Sequence, residues 1–284
     1  MMDGEGVGTE AILSVNSVSK RFVLKKKKVE REIPALSEVS FDVREGEFLS
    51  IVGPSGCGKS TILNLVVGLL KPTSGDILLR GEKVEGINSE IGYVTQKDNL
   101  WPWRTLKNNV AFALEVRGTP KEERDGRAEA FIQKVGLGGF EEHYPHELSG
   151  GMRQRGNIIR TLIYDPTVIL MDEPFGPLDA QTRMVLQNDL LKIWDENKKT
   201  IIFVTHDLVE AIALSDRVVI MTRRPGRVKD IVDVKIPRPR NVFAIHTAPG
   251  FKETYEKVLE SFSAVSLEVG EEEEKGGEVL DRDV

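Results

Sequence analysis

Cysteine is nearly absent from this chain, and positive charge is not in excess. Cys57 is the single cysteine among 284 residues, which excludes an intrachain disulfide and a zinc site built on several cysteines. The four histidines lack metal-ligand spacing, so a histidine-rich metal centre is not expected either. Because the formal net charge is -6, binding of nucleic acid through bulk positive charge is not expected.

Long apolar runs and targeting signals are also missing. The apolar run at residues 62–70 is shorter than the ~20 residues that a membrane-spanning helix needs. The first residues, Met-Met-Asp-Gly-Glu-Gly, show neither a basic start nor an apolar segment, so no signal peptide is predicted. We therefore expect a cytoplasmic protein whose role at a membrane, if it has one, comes through a partner.

Charge and composition set apart both ends of the chain. Residues 266–284 contain eight acidic and two basic side chains, an excess that equals the net charge of the whole chain. Because this segment has few apolar residues, we predict an acidic disordered tail at 265–284, preceded at 241–264 by a segment with an amphipathic helix. Residues 1–10 are predicted to be flexible. The basic run Lys25–Lys28 is predicted to be a solvated hairpin loop, with a contact to anionic lipid as the alternative.

Between these ends, short apolar runs alternate with helical patterns. Residues 167–171 and 200–205 are bare apolar runs, which is typical of strands buried on both faces of a parallel sheet. A helix is predicted from Lys59 to about Leu70. The alternation predicts an α/β domain with a mainly parallel sheet, and a helix-only block interrupts it as an inserted helical subdomain at about 98–165.

A glycine-rich loop carries the first chemical signal. Residues 53–60 read GPSGCGKS and fit the phosphate-loop pattern G-x-x-x-x-G-K-[ST], after a buried strand and at a helix start. Backbone N–H groups and the helix N-terminus favour phosphate there, Lys59 reaches the β- and γ-phosphates, and Ser60 ligates magnesium. The residues predicted to bind the nucleotide are Gly53, Pro54, Ser55, Gly56, Cys57, Gly58, Lys59, Ser60 and Thr61. Cys57 is interpreted as a small loop residue and not as a redox centre.

Two adjacent carboxylates supply the second signal. The apolar run at 168–171 ends in Asp172 and Glu173, which the strand delivers to the edge of the sheet. Asp172 is placed to hold magnesium, and Glu173 is placed to polarise an attacking water. Two carboxylates alone would indicate a solvated strand end, but together with the phosphate loop they predict nucleotide hydrolysis.

Residues 148–155, which read LSGGMRQR, decide between the families that share these signals. Ser149, Gly150 and Gly151 at a helix start present a hydroxyl and bare N–H groups to an anion, although an ordinary capped helix would look the same in isolation. In combination with the two preceding motifs, the string resembles the LSGGQ signature of the ATP-binding-cassette (ABC) ATPases. The resemblance covers about residues 11–240 and contains the motifs of that family in order.

The resemblance implies a P-loop NTPase fold of the α/β class. Its features are a RecA-like, mainly parallel sheet core, an N-terminal antiparallel β part and the inserted helical subdomain, together forming an ABC ATPase domain at 11–240. It further implies ATP and Mg²⁺ as ligands, and a homodimer in which the phosphate loop of one chain meets the Ser-Gly-Gly signature of the other.

Four more residues receive roles from the resemblance alone. Gln96, in GYVTQ, matches the residue that touches magnesium and the attacking water. Asp179, in GPLD, matches the loop that contacts the opposite subunit. His206, in FVTHD, matches the histidine that contacts the γ-phosphate, and Phe22 lies where the family carries an aromatic residue that stacks on adenine.

A narrower resemblance indicates one importer branch. The strings LWPWRT at 100–105, DEPFGPLDAQTR at 172–183, RPGR at 224–227 and IPRPR at 236–240 are similar to those of nitrate, sulfonate and taurine importers. This implies a peripheral subunit at the cytoplasmic face of the cell membrane that energises an integral membrane permease, with a solute-binding protein as an indirect partner. Trp101 and Trp103 would lie in the groove that receives the permease, or alternatively pack within the helical subdomain. The cassette does not touch the solute, so the solute stays open.

Two residues depart from the family pattern, and several other functions share some of these motifs. Pro177 replaces a small residue before Leu-Asp, and Gly156 interrupts a helix that is usually rich in alanine, at a cost of about 1 kcal/mol. The rivals are a non-transport P-loop ATPase of DNA repair or of the ribosome, and a phosphotransferase. The short spacing between Lys59 and Leu148 leaves no room for the long coiled coil of the DNA-repair class. The single cassette and the acidic end disfavour the ribosome-binding class, which resembles two cassettes joined by a basic linker. A phosphotransferase would leave the signature unexplained.

Overall fold

The computed structural model describes residues 11–26 and 29–276. Its strands are β1 (Ala11–Lys26), β2 (Val29–Arg44), β3 (Phe48–Val52), β4 (Ser74–Leu79), β5 (Glu82–Lys83), β6 (Ile91–Val94), β7 (Val168–Asp172), β8 (Thr200–Thr205), β9 (Arg217–Met221) and β10 (Val228–Asp233). Its helices are α1 (Lys59–Val66), α2 (Leu106–Val116), α3 (Lys121–Lys134), α4 (Gly150–Leu162), α5 (Ala180–Asn197), α6 (Leu208–Leu214) and α7 (Phe251–Gly276), with 3₁₀ turns at Pro145–Glu147 and Val242–Thr247. The predicted flexible start at 1–10, Lys27 and Lys28 of the basic loop, and 277–284 of the predicted tail lie outside the described residues.

A six-stranded sheet forms the centre of the molecule. Its order is β10-β9-β3-β8-β7-β6, with parallel pairs from β9 to β6 and an antiparallel pair between β10 and β9. Strands β3 and β8 are buried along their whole length, as expected for apolar strands covered on both faces. Since the carboxyl ends of parallel strands share one edge, the segments after β3, β8 and β7 lie side by side there. The predicted mainly parallel core is confirmed.

A second, antiparallel sheet has the order β2-β1-β4-β5 and matches the antiparallel part that the family resemblance implies. Strands β1 and β2 pair from Ala11↔Arg44 to Lys26↔Val29, so both strands extend well beyond the runs of alternating apolar residues at 11–18 and 39–43. Several register shifts break the side-chain alternation along this pair, which is why the sequence pattern shows only part of each strand. Buried side chains of both sheets and α1, among them Val15, Val39, Ile51 and Leu63, share one core.

Helices α2, α3 and α4 pack around a cluster of their own that includes Leu106, Val110, Ile132 and Ile159. They form the helical insertion that the sequence predicts between β6 and β7. Gly156 has a packing role here, because a Cβ on it would lie 2.8 Å from Cδ1 of Leu106. The glycine lets α4 approach α2, and this contact offsets the helix propensity that glycine loses.

Helix α1 is shorter than predicted, since it ends at Val66 and not near Leu70. Gly68 has a φ of 80°, and a Cβ on it would lie 1.7 Å from the carbonyl oxygen of Gly86. The N–H of Leu70 donates to the carbonyl oxygen of Asn64 at 3.0 Å, which closes the helix end around this glycine. The apolar run continues past the helix end, and for this reason it misled the prediction.

The C-terminal helix is longer than predicted. Helix α7 runs to Gly276, whereas the sequence predicts a disordered tail from residue 265 onward. A low apolar content precludes a core but not a helix, and Glu271–Glu274 are strong helix formers. Phe251 and Val258 pack against α6, β9 and β10, and Val265 is 1% exposed. Among the helices described, none joins the length to the apolar composition that crossing a bilayer requires.

Candidate active site

The turn between β3 and α1 forms the phosphate loop, and its shape depends on glycine. Gly58 precedes α1 with a φ of 110°, and a Cβ on it would lie 2.6 Å from Cδ2 of Leu36. Gly56 has a φ of 74°, again in the region that favours glycine. The loop therefore brings its backbone close to whatever lies in front of α1, at the positive end of the helix dipole.

Lys59 is held by its own loop. Its Nζ donates to the carbonyl oxygen of Gly53 at 2.8 Å and to that of Pro54 at 3.2 Å. The residue is 7% exposed, so its side chain is fixed against the loop and not extended into solvent. Because these acceptors are neutral carbonyls, they orient the ammonium without cancelling its charge.

Asp172 ends β7 and faces Ser60 on α1. The Tyr93 hydroxyl donates to Oδ2 of Asp172 at 3.4 Å, and the Ser60 hydroxyl lies near enough to its carboxylate to favour the charged form. Burial raises the pKa of the Asp172 carboxyl, the Ser60 hydroxyl opposes that rise, and the neighbouring Glu173 adds to it. A cation between Ser60 and Asp172 would relieve this cost of holding a buried negative charge.

The donor set fits magnesium in the presence of phosphate. A serine hydroxyl and a carboxylate are hard oxygen ligands of the kind that Mg²⁺ takes together with substrate phosphates. Over 11–26 and 29–276, no group of three or more His, Cys, Asp or Glu side chains could hold a metal by itself. A metal here would thus need oxygens from a bound nucleotide.

Glu173 and the phosphate loop share one cleft. The residues that line it are Ser55, Gly56, Gly58, Lys59, Ser60, Thr61 and Glu173. Glu173 has a φ of 43°, and its N–H donates to the carbonyl oxygen of Val204 on β8 at 2.9 Å. This left-handed backbone turns the residue away from the line of β7. Its Oε2 lies 3.2 Å from Nδ1 of His206, so the structure brings these two predicted residues together.

Gln96 lies exposed and close to the loop that follows Glu173. A Cβ built on Gly176 would lie 3.7 Å from its Nε2. Gln96 is not among the residues that line the cleft of Glu173. Gln96 therefore lies beside the loop that follows Glu173, at the border of the cleft.

The signature residues lie at the start of α4, outside that cleft. The Ser149 hydroxyl caps the helix by accepting from the N–H of Met152 at 3.3 Å, and Gly150 is exposed beside it. A Cβ on Gly151 would lie 2.8 Å from Cγ2 of Thr182 on α5. In a single chain the signature residues therefore lie outside the cleft that the phosphate loop lines.

Asp179 caps α5, with its Oδ1 accepting from the N–H of Thr182 at 3.0 Å. This hydrogen bond lowers the pKa of the Asp179 carboxyl. Asp179 and Ser149 are thus both N-caps at neighbouring helix starts, and their caps fix the backbone that a partner subunit would meet.

Phe22 lies on the β1–β2 hairpin, and Cys57 lies within the phosphate loop. Phe22 is half-buried on β1 opposite Ile33, with Nζ of Lys20 5.3 Å from the centre of its ring. Lys20 pairs with Leu36, the residue in contact with Gly58, so the β1–β2 hairpin passes beside the phosphate loop. Cys57 is buried, and burial raises the pKa of its thiol.

The two tryptophans differ in their surroundings. Their rings are stacked with centroids 6.4 Å apart, and Trp101 also packs edge-on against Phe112 at 4.0 Å. The Arg104 guanidinium lies over Trp101 and Phe112, at 5.1 and 4.9 Å from the ring centres. Trp103 is 72% exposed, so Trp101 packs within the helical subdomain while Trp103 presents an aromatic face to the outside.

Sequence reasoning missed Tyr93, whose hydroxyl reaches Asp172. Burial, followed by the charge of Asp172, raises the pKa of the Tyr93 phenol, so the phenol remains a donor. The pairing of β6 with β7 places the two residues together. A tyrosine inside a short strand gives no signal of that contact in the sequence.

Comparison with known proteins agrees with this geometry. The family model for ABC transporters matches residues 36–176. An uncharacterized ABC transporter ATP-binding protein of Methanocaldococcus jannaschii is 52% identical over 80% of this chain and 84% of its own length. The aliphatic sulfonates import ATP-binding protein SsuB of Bacillus cereus is 42% identical over 90% of this chain and 97% of its own. The taurine import ATP-binding protein TauB of Roseobacter denitrificans is 47% identical over 76% and 80%.

Solved structures give the same result. A dimeric post-hydrolysis state of an ATP-binding cassette bound to ADP and Pi has a TM-score of 0.67 and 33% identity, covering 78% of this chain and 99% of that one. A dimeric bacterial ABC transporter cassette gives a TM-score of 0.68 at 34% identity with the same coverage. With this identity over most of the chain, and with the phosphate loop, the Asp-Glu pair and the signature in place, the protein belongs to the family of ABC transporter ATP-binding proteins.

Proposed function

We propose that this chain hydrolyses ATP as the nucleotide-binding subunit of an importer and thereby drives a membrane permease. The observation that carries the proposal is the cleft in which the phosphate loop, with Lys59 and Ser60, meets Glu173. Close relatives named as import ATP-binding proteins for sulfonates and taurine support the transport role.

Different residues in and around the cleft bind the phosphates, the Mg²⁺ and the adenine of ATP. The loop backbone from Gly53 to Thr61 and the start of α1 surround the phosphates, and Lys59 offers its ammonium to the β- and γ-phosphates. Ser60 and Asp172, joined by Gln96 on the exposed side, would hold Mg²⁺, which neutralises charge on the phosphate oxygens when bound. Phe22 stacks on the adenine from the β1–β2 hairpin.

Glu173 acts as the general base of hydrolysis. It accepts a proton from a water whose oxygen bonds to the γ-phosphorus as the bond from that phosphorus to the oxygen of ADP breaks. His206, at 3.2 Å from its carboxylate, orients Glu173 and faces the terminal phosphate. The products are ADP and inorganic phosphate.

Two chains are needed to complete each site. Ser149, Gly150 and Gly151 lie outside the cleft of their own chain, so in a homodimer they would meet the γ-phosphate bound to the opposite chain. Asp179 lies at the neighbouring helix start and contacts the same interface. The similar cassettes solved as dimers support this arrangement.

Import places the dimer at the cytoplasmic face of the cell membrane, beneath an integral permease, with a solute-binding protein as the indirect partner. The exposed face of Trp103, supported by Trp101, is the surface that the permease contacts. A solute of the sulfonate, taurine or nitrate kind fits the branch.

Phosphate release in the presence of water as the only acceptor tests the reaction. The purified chain with Mg²⁺ and ATP should release phosphate and ADP in equal amounts. Appearance of ADP without free phosphate would instead indicate a phosphotransferase, and no turnover of ATP under any condition would remove the ATPase assignment.

Replacing Trp101 and Trp103 by alanine tests the coupling surface. Co-purification with the membrane permease should weaken, while ATP binding persists because neither ring lines the cleft. Ile87→Ala is a matched control, since Ile87 is 75% exposed and lies outside the aromatic cluster. Loss of ATP binding in the tryptophan variant would show that the rings serve internal packing.

A further inference from the structure

Glu210 is a buried carboxylate that the hydrolysis chemistry does not use, and it lies in α6, four residues after His206. Glu210, in the first turn of α6, is 7% exposed and has two side-chain partners. Nε2 of Gln187 on α5 donates to its Oε1 at 2.7 Å, and the Thr205 hydroxyl hydrogen-bonds to its Oε2. Burial raises the pKa of the Glu210 carboxyl, and the bonds from Thr205 and Gln187 oppose that rise.

Thr205 links this carboxylate to the turn that carries His206. Its Oγ1 accepts from the N–H of Asp207 at 3.0 Å, so the hydroxyl closes the turn over His206, and its proton is free to go to Glu210. Thr205 is 1% exposed and is the last residue of β8. The Thr205 side chain is therefore held by two hydrogen bonds, and it in turn fixes the backbone of His206.

Helix α5 supplies the far end of the same network. Gln187 is 4% exposed, and one turn earlier Arg183 lies 4.0 Å from Oδ2 of Asp207 and donates to the carbonyl oxygen of Leu178 at 3.0 Å. The helix capped by Asp179 therefore holds the start of α6 through two neighbouring positions. A second subunit that contacts Asp179 would therefore contact the start of α5, the same helix that holds the start of α6.

We propose that Glu210 is a positioning residue for hydrolysis: through Thr205 and Gln187 it fixes the turn of His206, and so the His206–Glu173 pair, relative to α5. This inference rests on the ATPase function proposed above. Glu210 does not line the cleft and touches no phosphate, so it acts through His206. A buried polar group with every bond satisfied has a unique arrangement, which is what orienting a catalytic histidine requires.

Thr205→Val is the sharpest test because it keeps the branched shape of the side chain and removes the hydroxyl that hydrogen-bonds to both Glu210 and the N–H of Asp207. We expect kcat to fall roughly 10- to 100-fold while KM for ATP stays within about twofold, since the phosphate loop is untouched. Thr205→Ser should restore most of the rate, because it returns the hydroxyl. An equal loss in the serine variant, or a rise in KM alone, would overturn the proposal.

A double variant separates positioning of His206 from a general loss of structure. If the network acts through His206, Thr205→Val should add little to the defect of His206→Ala, because the oriented side chain is already gone. Multiplication of the two defects would mean that Thr205 acts elsewhere. Glu210→Gln gives a second check, because Gln can accept from Thr205 and donate to a rotated Gln187 amide, and it should keep most of the activity.

Imidazole NMR signals provide a readout that does not depend on turnover. The chain has four histidines, and His206→Ala identifies the ring signals of His206. Thr205→Val should shift or broaden these signals and leave those of His143, His146 and His246 in place. Unchanged His206 signals would overturn the inference even in an active enzyme. A chain without ATPase activity whose His206 signals move would instead contradict the proposed function and leave the positioning intact.

Discussion

Asp172 and Glu173 are adjacent carboxylates in different surroundings, and this difference supports the separate roles proposed for them. Asp172 accepts from the Tyr93 hydroxyl and lies near the Ser60 hydroxyl, whereas Glu173 lines the open cleft and lies 3.2 Å from Nδ1 of His206. A carboxylate already held by hydroxyl donors suits cation binding, and one at the edge of a cleft beside a histidine suits proton transfer.

Glu173→Gln should therefore hydrolyse ATP slowly and still bind it. The amide keeps the size of the side chain but cannot accept a proton, and a positioned general base contributes ~10²–10⁴-fold in rate, or about 3–5 kcal/mol of barrier. Phosphate release measures the rate, and equilibrium binding of a fluorescent ATP analogue measures affinity. Hydrolysis at the parent rate would shift the role of base to another group.

Lys59→Ala is the matched variant with the opposite pattern. It removes the ammonium that the loop carbonyls of Gly53 and Pro54 orient, so affinity itself should fall. If Lys59→Ala and Glu173→Gln gave the same pattern of rate and affinity, binding and catalysis would not be separated in this cleft.

Cys57 is expected to resist alkylation in the folded protein. Burial raises the pKa of its thiol, although the nearby Lys59 opposes that rise, so less thiolate exists near pH 8 than for a free cysteine. Iodoacetamide labelling followed by mass spectrometry should be slow in buffer and complete in denaturant. Rapid labelling of the native chain would show that the loop opens.

The sequence predicts which residues meet at the phosphate site but not how they are held. Motif spacing places Lys59, Asp172 and His206 after strands, and parallel strands bring such positions to one edge. The contacts of Tyr93 and Thr205 depend instead on strand order and on one hydroxyl among many. Such contacts are decided by packing between segments that are distant in the chain.

At the level of elements, strongly patterned segments were predicted well and their ends less so. Helix α1 ends at Val66 because Gly68 adopts a left-handed backbone against Gly86, a tertiary contact that an apolar run does not reveal. Helix α7 continues past its apolar face because helix propensity and core formation are separate properties.

Helix α7 yields a truncation prediction. A chain ending at Ala264 loses the Val265 side chain, which is 1% exposed, whereas a chain ending at Ser266 keeps it. Burial of a valine contributes about 1.5 kcal/mol, so the shorter chain should melt roughly 3–5 °C lower, with ATPase activity near that of the full chain in both. Equal melting temperatures would show that Val265 is not held in the core.

At the scale of the whole molecule, the phosphate loop and the signature of one chain do not line a common cleft, and the proposed function needs both at each site. In a Cys57→Ser background, Ser55→Cys combined with Gly151→Cys should give an intersubunit disulfide that depends on ATP, most clearly with Glu173→Gln present. Ser55→Cys with Ile87→Cys is the control, since Ile87 is exposed and lies between β5 and β6, outside the signature and α4. Equal crosslinking in both pairs would contradict the proposed sandwich of two chains.

The left-handed backbone of Glu173 lowers the thermal stability of the protein at the position where the proposed hydrolysis needs a glutamate. A φ of 43° is unfavourable for glutamate but is tolerated well by asparagine. Glu173→Asn is therefore expected to melt at a higher temperature than Glu173→Gln, although both variants lack the carboxylate, and a calorimetric scan of the two measures the difference. A laboratory selection for thermostability alone would tend to replace this glutamate and recover inactive proteins, so directed evolution of the chain needs a screen for phosphate release at every round.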